Sequence, residues 1–140
     1  MDASVVAKWF NRGETNEKEA RVLRDSWLAN EVSLFAPSLI LYEVSNTILK
    51  NPGVPTPIAR DLVRAVVKLS PHLLIPSDMV AEEAMRIARK ERLTFYDAAY
   101  LAIAKSLACR LITADEEQLS AARGYLDAEH LSEFRRKDER

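Results

Sequence analysis

The sequence predicts an α/β fold in which helices cover both faces of a central parallel sheet. Short apolar runs typical of strands alternate with longer segments in which apolar residues recur at helical spacing. Capping residues, prolines and glycines separate these segments, where helices usually begin and end. Alternation of this kind favours parallel strand pairing. No repeat, low-complexity tract or long linker interrupts the 140 residues, which predicts a single domain over residues 1–140.

Seven helices are predicted from apolar spacing and from residues that favour helix starts. They cover residues 3–10, 16–28, 37–49, 56–69, 77–90, 94–104 and 116–123. Side chains that can accept a hydrogen bond from a first-turn N–H stand at four of the helix starts: Asn16, Thr56, Ser77 and Thr94. We therefore expect each of these residues to be an N-cap.

Four strands are predicted between the helices. They cover residues 32–36, 73–75, 110–113 and 125–126. The last segment, residues 135–140, is charged and is predicted to be a flexible tail. In open α/β sheets, ligands bind outside the carboxyl ends of the strands. Residues that directly follow a predicted strand are therefore candidates for a functional site.

Composition and charge narrow the classes of function. The formal net charge of −1 gives the chain no strong overall field that would attract a polyanion. The single cysteine excludes an internal disulfide, and with only two histidines it argues against a zinc site of nitrogen and sulfur ligands. No apolar run approaches the ~20 residues of a membrane span, and no signal-peptide pattern is visible. We expect a cytoplasmic protein without membrane contact.

The segment TFYDAAYLAIA, residues 94–104, predicts a helix that is apolar nearly all round and therefore buried. Asp97 is its one carboxylate, and a buried carboxylate is costly unless it is paired. One explanation is local, because Asp97 completes an acidic capping box with Thr94 and lies at the positive end of the helix dipole, worth about 0.3–1 kcal/mol. The other explanation is a catalytic or ligand-binding role. The residues alone leave both open.

Three further carboxylates stand where the predicted fold could bring them near Asp97. Asp115 directly follows the strand at residues 110–113 and so lies at a carboxyl end of the sheet. Glu43 flanks the apolar stripe of its helix, and Asp2 precedes the first helix. Capping, turn formation or an exposed flank can also explain each of them. Spacing alone therefore does not establish that the carboxylates converge.

Four ordered motifs resemble a known family. They read DASVVAKWF, YEVSNTI, LTFYDAAYLAIA and LITADEEQL, and the resemblance they carry extends from Asp2 to about Leu126. This pattern resembles the PIN-domain family, and within it the VapC-type toxin ribonucleases of prokaryotic toxin–antitoxin pairs. The resemblance implies a PIN-like three-layer α/β/α fold with a central parallel sheet. It also implies a cluster of acidic residues at one end of the sheet that binds Mg²⁺ or Mn²⁺ and hydrolyses RNA.

The resemblance also implies roles for individual residues. By motif position, metal binding and catalysis fall on Asp2, Glu43, Asp97 and Asp115. Supporting roles fall on Ser4, Asn46, Thr113 and Glu117. The chemistry fits these residue types, because two carboxylates ~4 Å apart repel each other by about 4 kcal/mol at an effective dielectric constant of 20. A divalent cation relieves that repulsion, and oxygen ligands select Mg²⁺ or Mn²⁺.

Two departures from the family pattern give rise to expectations of their own. Only Met1 precedes Asp2, so we expect the central first strand to be largely missing. After Asp115, the family often has a second aspartate where this chain has Glu117. The longer glutamate side chain could still reach a metal ion, directly or through a water molecule.

The resemblance implies a metal-dependent endoribonuclease that cleaves single-stranded RNA and is held inactive by a cognate antitoxin. A homodimer is implied as well, as is an antitoxin bound in the groove between the first helices and the helix of Glu43. The alternatives are a PIN-domain nuclease for RNA maturation or decay without an antitoxin, and a non-catalytic PIN-like binding module. Phosphatase and response-regulator folds need two close acidic residues after the first strand, whereas the DASVV motif offers only Asp2.

Overall fold

The computed structural model describes residues 1–69 and 71–135. Within these residues the helices and strands are α1 (Ala3–Phe10), α2 (Glu17–Leu28), β1 (Phe35–Pro37), α3 (Ile40–Lys50), α4 (Thr56–Lys68), β2 (His72–Leu74), α5 (Asp78–Glu91), α6 (Phe95–Ser106), β3 (Leu111–Thr113), α7 (Glu116–Ala122) and β4 (Ala128–His130), followed by a 3-10 turn at Leu131–Glu133. At least one helix separates each strand from the next, as predicted. Most of the predicted tail, residues 136–140, lies outside the described residues. No helix in the described part of the chain is both long and apolar enough to cross a membrane.

The strands form two parallel pairs. In the first pair, β1 lies beside β2 with Phe35 opposite His72. In the second, β3 lies beside β4 with Leu111 opposite Ala128. α6 packs against both β1 and β3, while α1 packs against β3. This arrangement confirms the predicted α/β fold with parallel strands, although each strand is only three residues long.

Met1 and Asp2 lie between the two strand pairs and join them. The amino group of Met1 donates a hydrogen bond to the carbonyl oxygen of Phe35 on β1, at 3.1 Å. The backbone N–H of Asp2, which is extended, donates to the carbonyl oxygen of Ile112 on β3, at 3.2 Å. These two residues occupy the place of a central strand. Within the described residues, no strand precedes α1.

A cavity of about 400 Å³ lies between β1 and β3 beside Met1. Its walls include Leu34 and Ala36 on the β1 side and Ile112 on the β3 side, and Ile103 of α6 contributes a further apolar surface. The buried amino group of Met1 faces a desolvation cost that lowers its pKa. The cavity is therefore bounded by two strands and by a charged group that is poorly solvated.

We expect a five-residue, β-branched extension placed before Met1 to raise the melting temperature by several degrees. The added residues can pair with β1 and β3, fill the apolar cavity and replace the buried amino group by a neutral amide. Thermal unfolding followed by circular dichroism measures the effect, since about 1 kcal/mol shifts the melting temperature of a domain this size by several degrees. A glycine–serine extension of equal length is the control. Equal melting temperatures for the two extended proteins would contradict this expectation.

α6 is the central helix of the core. Every residue from Ala98 to Ala104 is buried, and Leu101 is fully enclosed. Both ends of the helix are more accessible: the exposed Tyr96 and the half-buried Asp97 precede the buried run, and the exposed Lys105 follows it. α5 packs along α6 over much of its length. The prediction that this segment forms a buried helix is confirmed.

Of the four predicted N-caps, two are confirmed with a side-chain bond, Asn16 takes the cap position without such a bond, and Thr56 is wrong. The hydroxyls of Ser77 and Thr94 accept hydrogen bonds from first-turn N–H groups. Asn16 instead adopts a left-handed conformation with φ of 61°, which asparagine tolerates, and its side chain makes no capping bond. Thr56 is already the first residue of α4, which places Pro55 at the cap position, where no side chain can accept a hydrogen bond.

The predicted strand at residues 125–126 is misplaced. The N–H groups of Tyr125 and Leu126 both donate to the carbonyl oxygen of Ala122, so these residues continue the turn that ends α7. The strand follows as β4, Ala128–His130, once the chain has left that turn. A short apolar pair next to a helix end carries too little information to distinguish a turn from a strand.

Glu83 links α5 to α6, and we expect this link to depend on pH. Its carboxylate accepts hydrogen bonds from Arg86 and from Lys105 of α6, and these contacts lower its pKa to about 2. The ion pairs therefore stabilise the fold fully above a pH of about 4.5 and lose their effect as the pH falls toward 2. Glu83→Gln should lower stability slightly at pH 7, by at most about 1 kcal/mol for pairs this exposed.

Urea unfolding between pH 7 and pH 3 measures this dependence. The stability difference between Glu83→Gln and the unsubstituted protein should shrink as the pH falls. Glu82→Gln, which changes an exposed glutamate beside Glu83 on α5, is the control. A difference that stays constant over this range would show that the Glu83 ion pairs contribute nothing to stability.

Candidate active site

Asp2 is held at the start of α1 by two hydroxyl groups. Its side chain is 5% exposed. Ser4 in the first turn of α1 donates a hydrogen bond to Oδ1 at 2.8 Å, and Thr113 at the end of β3 donates to Oδ2 at 3.0 Å. Burial raises the pKa of Asp2, while the bond from Ser4, the amino-terminal charge and the bond from Thr113 act in the opposite direction. The Asp2 carboxylate is therefore buried, and two hydrogen bonds fix its orientation.

The same two hydroxyls also hold the loop between β3 and α7. The N–H of Ala114 donates to Ser4 Oγ at 3.0 Å, and the N–H of Asp115 donates to Thr113 Oγ1 at 3.0 Å. Asp115 is exposed, and its Oδ1 caps α7 by accepting a hydrogen bond from the N–H of Gln118 at 2.9 Å. Asp115 is thus joined to Asp2 through Thr113, at the carboxyl end of β3.

Glu43 points from α3 toward α6. Its Oε2 accepts a hydrogen bond from the hydroxyl of Tyr100 at 2.5 Å. Burial raises the pKa of Glu43, the bond from Tyr100 opposes that rise, and the negative charges of Asp97 and Asp2 add to it. The carboxylates of Asp97 and Asp2 are therefore close enough to Glu43 to act on it electrostatically.

Asp97 forms a helix cap with Thr94 and also lies near Glu43. Its backbone N–H donates to Thr94 Oγ1 at 3.1 Å, and its Oδ2 accepts a hydrogen bond from the Thr94 hydroxyl at 2.6 Å. The side-chain amide of Gln118 donates to the Asp97 carbonyl oxygen at 3.5 Å, which ties the start of α7 to the start of α6. The N-terminus of α6 therefore lies near the carboxyl end of β3.

The sequence-predicted residues divide into three groups in the structure. The charges of Asp2 and Asp97 lie close enough to Glu43 to act on it, and Asp115 connects to Asp2 and to the start of α6 through hydrogen bonds. Ser4 and Thr113 contact Asp2 directly. Asn46 and Glu117 are exposed on α3 and α7. Among the described residues, no three histidine, cysteine, aspartate or glutamate side chains are grouped tightly enough to enclose a metal ion as they stand.

Two residues of this region were not predicted from the sequence. Tyr100 lies one helical turn after Asp97, a spacing that would have placed it on the same side of α6. Gln118 is 2% exposed, and within the described part of the chain its Oε1 is buried without a hydrogen-bond partner. Its position three residues after Asp115 was the only local indication that it could connect two acidic residues.

Comparison with known families identifies the fold. The sequence profile of the PIN domain matches residues 1–124. The chain belongs to the PIN-domain family. All of the acidic residues described above fall within the matched part of this PIN domain. The resemblance that the four motifs indicated is therefore confirmed.

A characterised relative adds to this assignment. The PIN domain is similar to the protein named exonuclease VapC9 from Pyrobaculum aerophilum, with 30% identity over 107 residues. The aligned region covers 76% of this chain and 80% of the relative. The likeness to a VapC protein, and not only to PIN domains in general, is thus supported over most of both chains.

Proposed function

We propose that this protein is a divalent-metal-dependent nuclease of VapC type that cleaves single-stranded RNA and acts as the toxin of a toxin–antitoxin pair. The observation that carries the proposal is a set of hydrogen bonds: Thr113 links Asp2 to Asp115 at the carboxyl end of β3, Gln118 ties the start of α6 to α7, and Tyr100 of α6 holds Glu43. Membership of the PIN-domain family and the similarity to VapC9 support it. The acidic residues come from separate parts of the chain, so a local capping role for Asp97 does not account for Asp2 and Glu43.

The donor set fits a hard divalent cation. Asp2, Glu43, Asp97 and Asp115 offer only carboxylate oxygens, the ligands that Mg²⁺ and Mn²⁺ prefer. Uncompensated carboxylates repel one another and spread apart, whereas a bound cation would offset that repulsion. When bound, such an ion lowers the pKa of a water molecule and stabilises charge on the scissile phosphate. We propose Mg²⁺ or Mn²⁺ as the cofactor.

Other residues of the site orient the acidic side chains or are placed to contact the substrate. Ser4 and Thr113 orient the Asp2 carboxylate from two sides, which leaves it little freedom to turn away. Thr94 fixes the Asp97 side chain through its hydroxyl. Asp115 is exposed and could therefore help to hold the ion or meet a substrate at the rim. Exposed Asn46 and Glu117 are proposed to contact the RNA or the ion's water shell from the edge of the site.

The mode of cleavage can be tested directly. We propose internal cleavage, although the similar protein from Pyrobaculum aerophilum is named an exonuclease. A circular single-stranded RNA has no ends, so only an endonuclease can open it. We expect the purified protein to linearise a circular RNA with Mn²⁺ and to be inactive when a chelator is present. Cleavage of the matched linear RNA alone would overturn internal cleavage and favour an exonuclease.

Partners follow from the same assignment. We propose that an antitoxin binds the groove between α1, α2 and α3. It would place a basic side chain near Asp2, Glu43 and Asp97, called the acidic cluster below, since arginine pairs well with carboxylates. We also propose a homodimer in the cytoplasm.

Growth arrest on expression, reversed by a small protein encoded beside this gene, would support the toxin assignment. RNA cleavage without growth arrest would favour an RNA-processing nuclease, and metal binding without cleavage would favour a binding module.

A further inference from the structure

Tyr100 occupies an unusual position between the core and the acidic cluster. Its side chain is 2% exposed, and beside Met1 and Ile103 it lines the cavity between β1 and β3. A buried tyrosine hydroxyl requires a hydrogen-bond partner. That partner is Glu43, 57 positions earlier in the chain and on a different helix. The phenol is therefore the polar end of an otherwise apolar side chain, and it is directed at one carboxylate.

Glu43 needs such a contact if it is to stay in the cluster. It is half-buried at the flank of α3, and its flexible side chain could extend toward water. In the inward position its carboxylate is partly desolvated and is repelled by the nearby carboxylates of Asp97 and Asp2. The bond from Tyr100 acts against both effects, because a hydrogen bond to a carboxylate is stronger than one between neutral groups. The donor is also fixed in place, since the tyrosine ring packs within the buried face of α6.

The geometry of α6 places this donor beside a second acidic residue. Asp97 and Tyr100 are three residues apart on one helix, so their side chains project from the same side. Asp97 lies in the first turn and Tyr100 one turn deeper. One helix therefore presents a carboxylate of its own and a donor that holds the carboxylate of α3.

We propose that Tyr100 is a positioning residue that holds Glu43 toward Asp2 and Asp97 and thereby increases the affinity of the site for a divalent cation. This inference rests on the proposed function, because it assumes that the carboxylates bind such an ion. Hydrogen-bond partners of metal ligands typically contribute 10–100-fold to metal affinity. Tyr100 would do so without contacting the ion.

Tyr100→Phe is the direct test, because it keeps the buried ring and removes only the hydroxyl. The chain offers a matched control in Tyr125→Phe, which removes the bond from another tyrosine hydroxyl to a glutamate, Glu91, at 2.7 Å. Isothermal titration of the purified full chain with Mn²⁺ is the readout. We expect the dissociation constant to rise about tenfold or more in Tyr100→Phe and to stay within about twofold in Tyr125→Phe.

Two further measurements separate positioning from a structural role. At saturating Mn²⁺, Tyr100→Phe should regain RNA cleavage to within a few-fold, because excess ion compensates for weaker binding. In a Glu43→Gln background, Tyr100→Phe should cause no further loss of Mn²⁺ affinity. If Tyr100→Phe does not fold, 4-methylphenylalanine at this position fills the space of the hydroxyl without donating a hydrogen bond, and the same titration applies.

The outcomes distinguish this inference from the proposed function. Unchanged Mn²⁺ affinity in a folded Tyr100→Phe, when the unsubstituted protein binds Mn²⁺, would overturn the role of Tyr100 and leave the proposed function standing. An equal loss of affinity in Tyr125→Phe would also overturn it, because the effect would then not be specific to Glu43. If the unsubstituted protein binds no Mn²⁺, both fail.

Discussion

Asp97→Asn should abolish RNA cleavage while the protein remains folded. The amide retains the shape of the side chain and can still accept the Thr94 hydroxyl bond, and the backbone bond to Thr94 is untouched. What disappears is one of the negative charges close to Glu43. We expect activity to fall by more than about a hundredfold, because loss of a proposed direct ligand should exceed the 10–100-fold effect of an outer-shell partner.

Gel assays of single-stranded RNA with Mn²⁺ measure this loss, and circular dichroism confirms the fold. Asp61→Asn, the same chemical change at an exposed aspartate of α4 that pairs with Arg64, is the control and should retain activity. Asp115→Asn should behave like Asp97→Asn, whereas Glu117→Gln should be milder because Glu117 is exposed and lies outside the hydrogen-bond network. Full activity in Asp97→Asn would show that Asp97 acts only as a helix cap and not in catalysis.

Thr113→Val should lower both stability and activity. Valine matches threonine in shape, but the buried Asp2 carboxylate loses one donor and the Asp115 N–H loses its acceptor. An unsatisfied buried polar group costs about 1–3 kcal/mol, and more when it is charged. We therefore expect a loss of stability of at least about 2 kcal/mol and a strong loss of RNA cleavage, since two of the proposed acidic ligands lose their orientation together.

Thr113→Ser separates the hydroxyl from the methyl group. Serine keeps the donor and acceptor but removes one buried methyl, so its stability should fall by only about 1 kcal/mol, and most activity should remain. Urea unfolding and RNA cleavage are measured for both variants. If Thr113→Val were as stable and as active as Thr113→Ser, the hydroxyl would have no role in holding Asp2.

Features encoded within a few residues could be predicted from the sequence. The Ser77 and Thr94 caps involve contacts three residues apart, and the buried run of α6 shows directly in its composition. The parallel strands follow from alternation with helices. Asn16 takes the cap position without a capping bond because its side chain can also support a left-handed backbone, and nothing local distinguishes the two uses.

Features that depend on distant pairs could not be predicted from spacing. Asp2 and Thr113 are 111 positions apart, and Glu43 and Tyr100 are 57 apart. Their contacts exist only because Met1 and Asp2 lie between β1 and β3 and because α6 packs across both strands. Resemblance to the PIN-domain family was needed to group the four acidic residues. It gave no indication that Tyr100 or Gln118 connects them.

We propose that Asp2, Glu43 and Asp97 together bind a divalent ion. Anomalous X-ray diffraction from crystals of the protein grown with Mn²⁺, with data collected at the manganese absorption edge, locates such an ion directly. We expect an anomalous peak within coordination distance, about 2.0–2.6 Å, of carboxylate oxygens of Asp2, Glu43 and Asp97. Ordered Mn²⁺ only at other carboxylates, or an empty cluster at millimolar Mn²⁺, would contradict it.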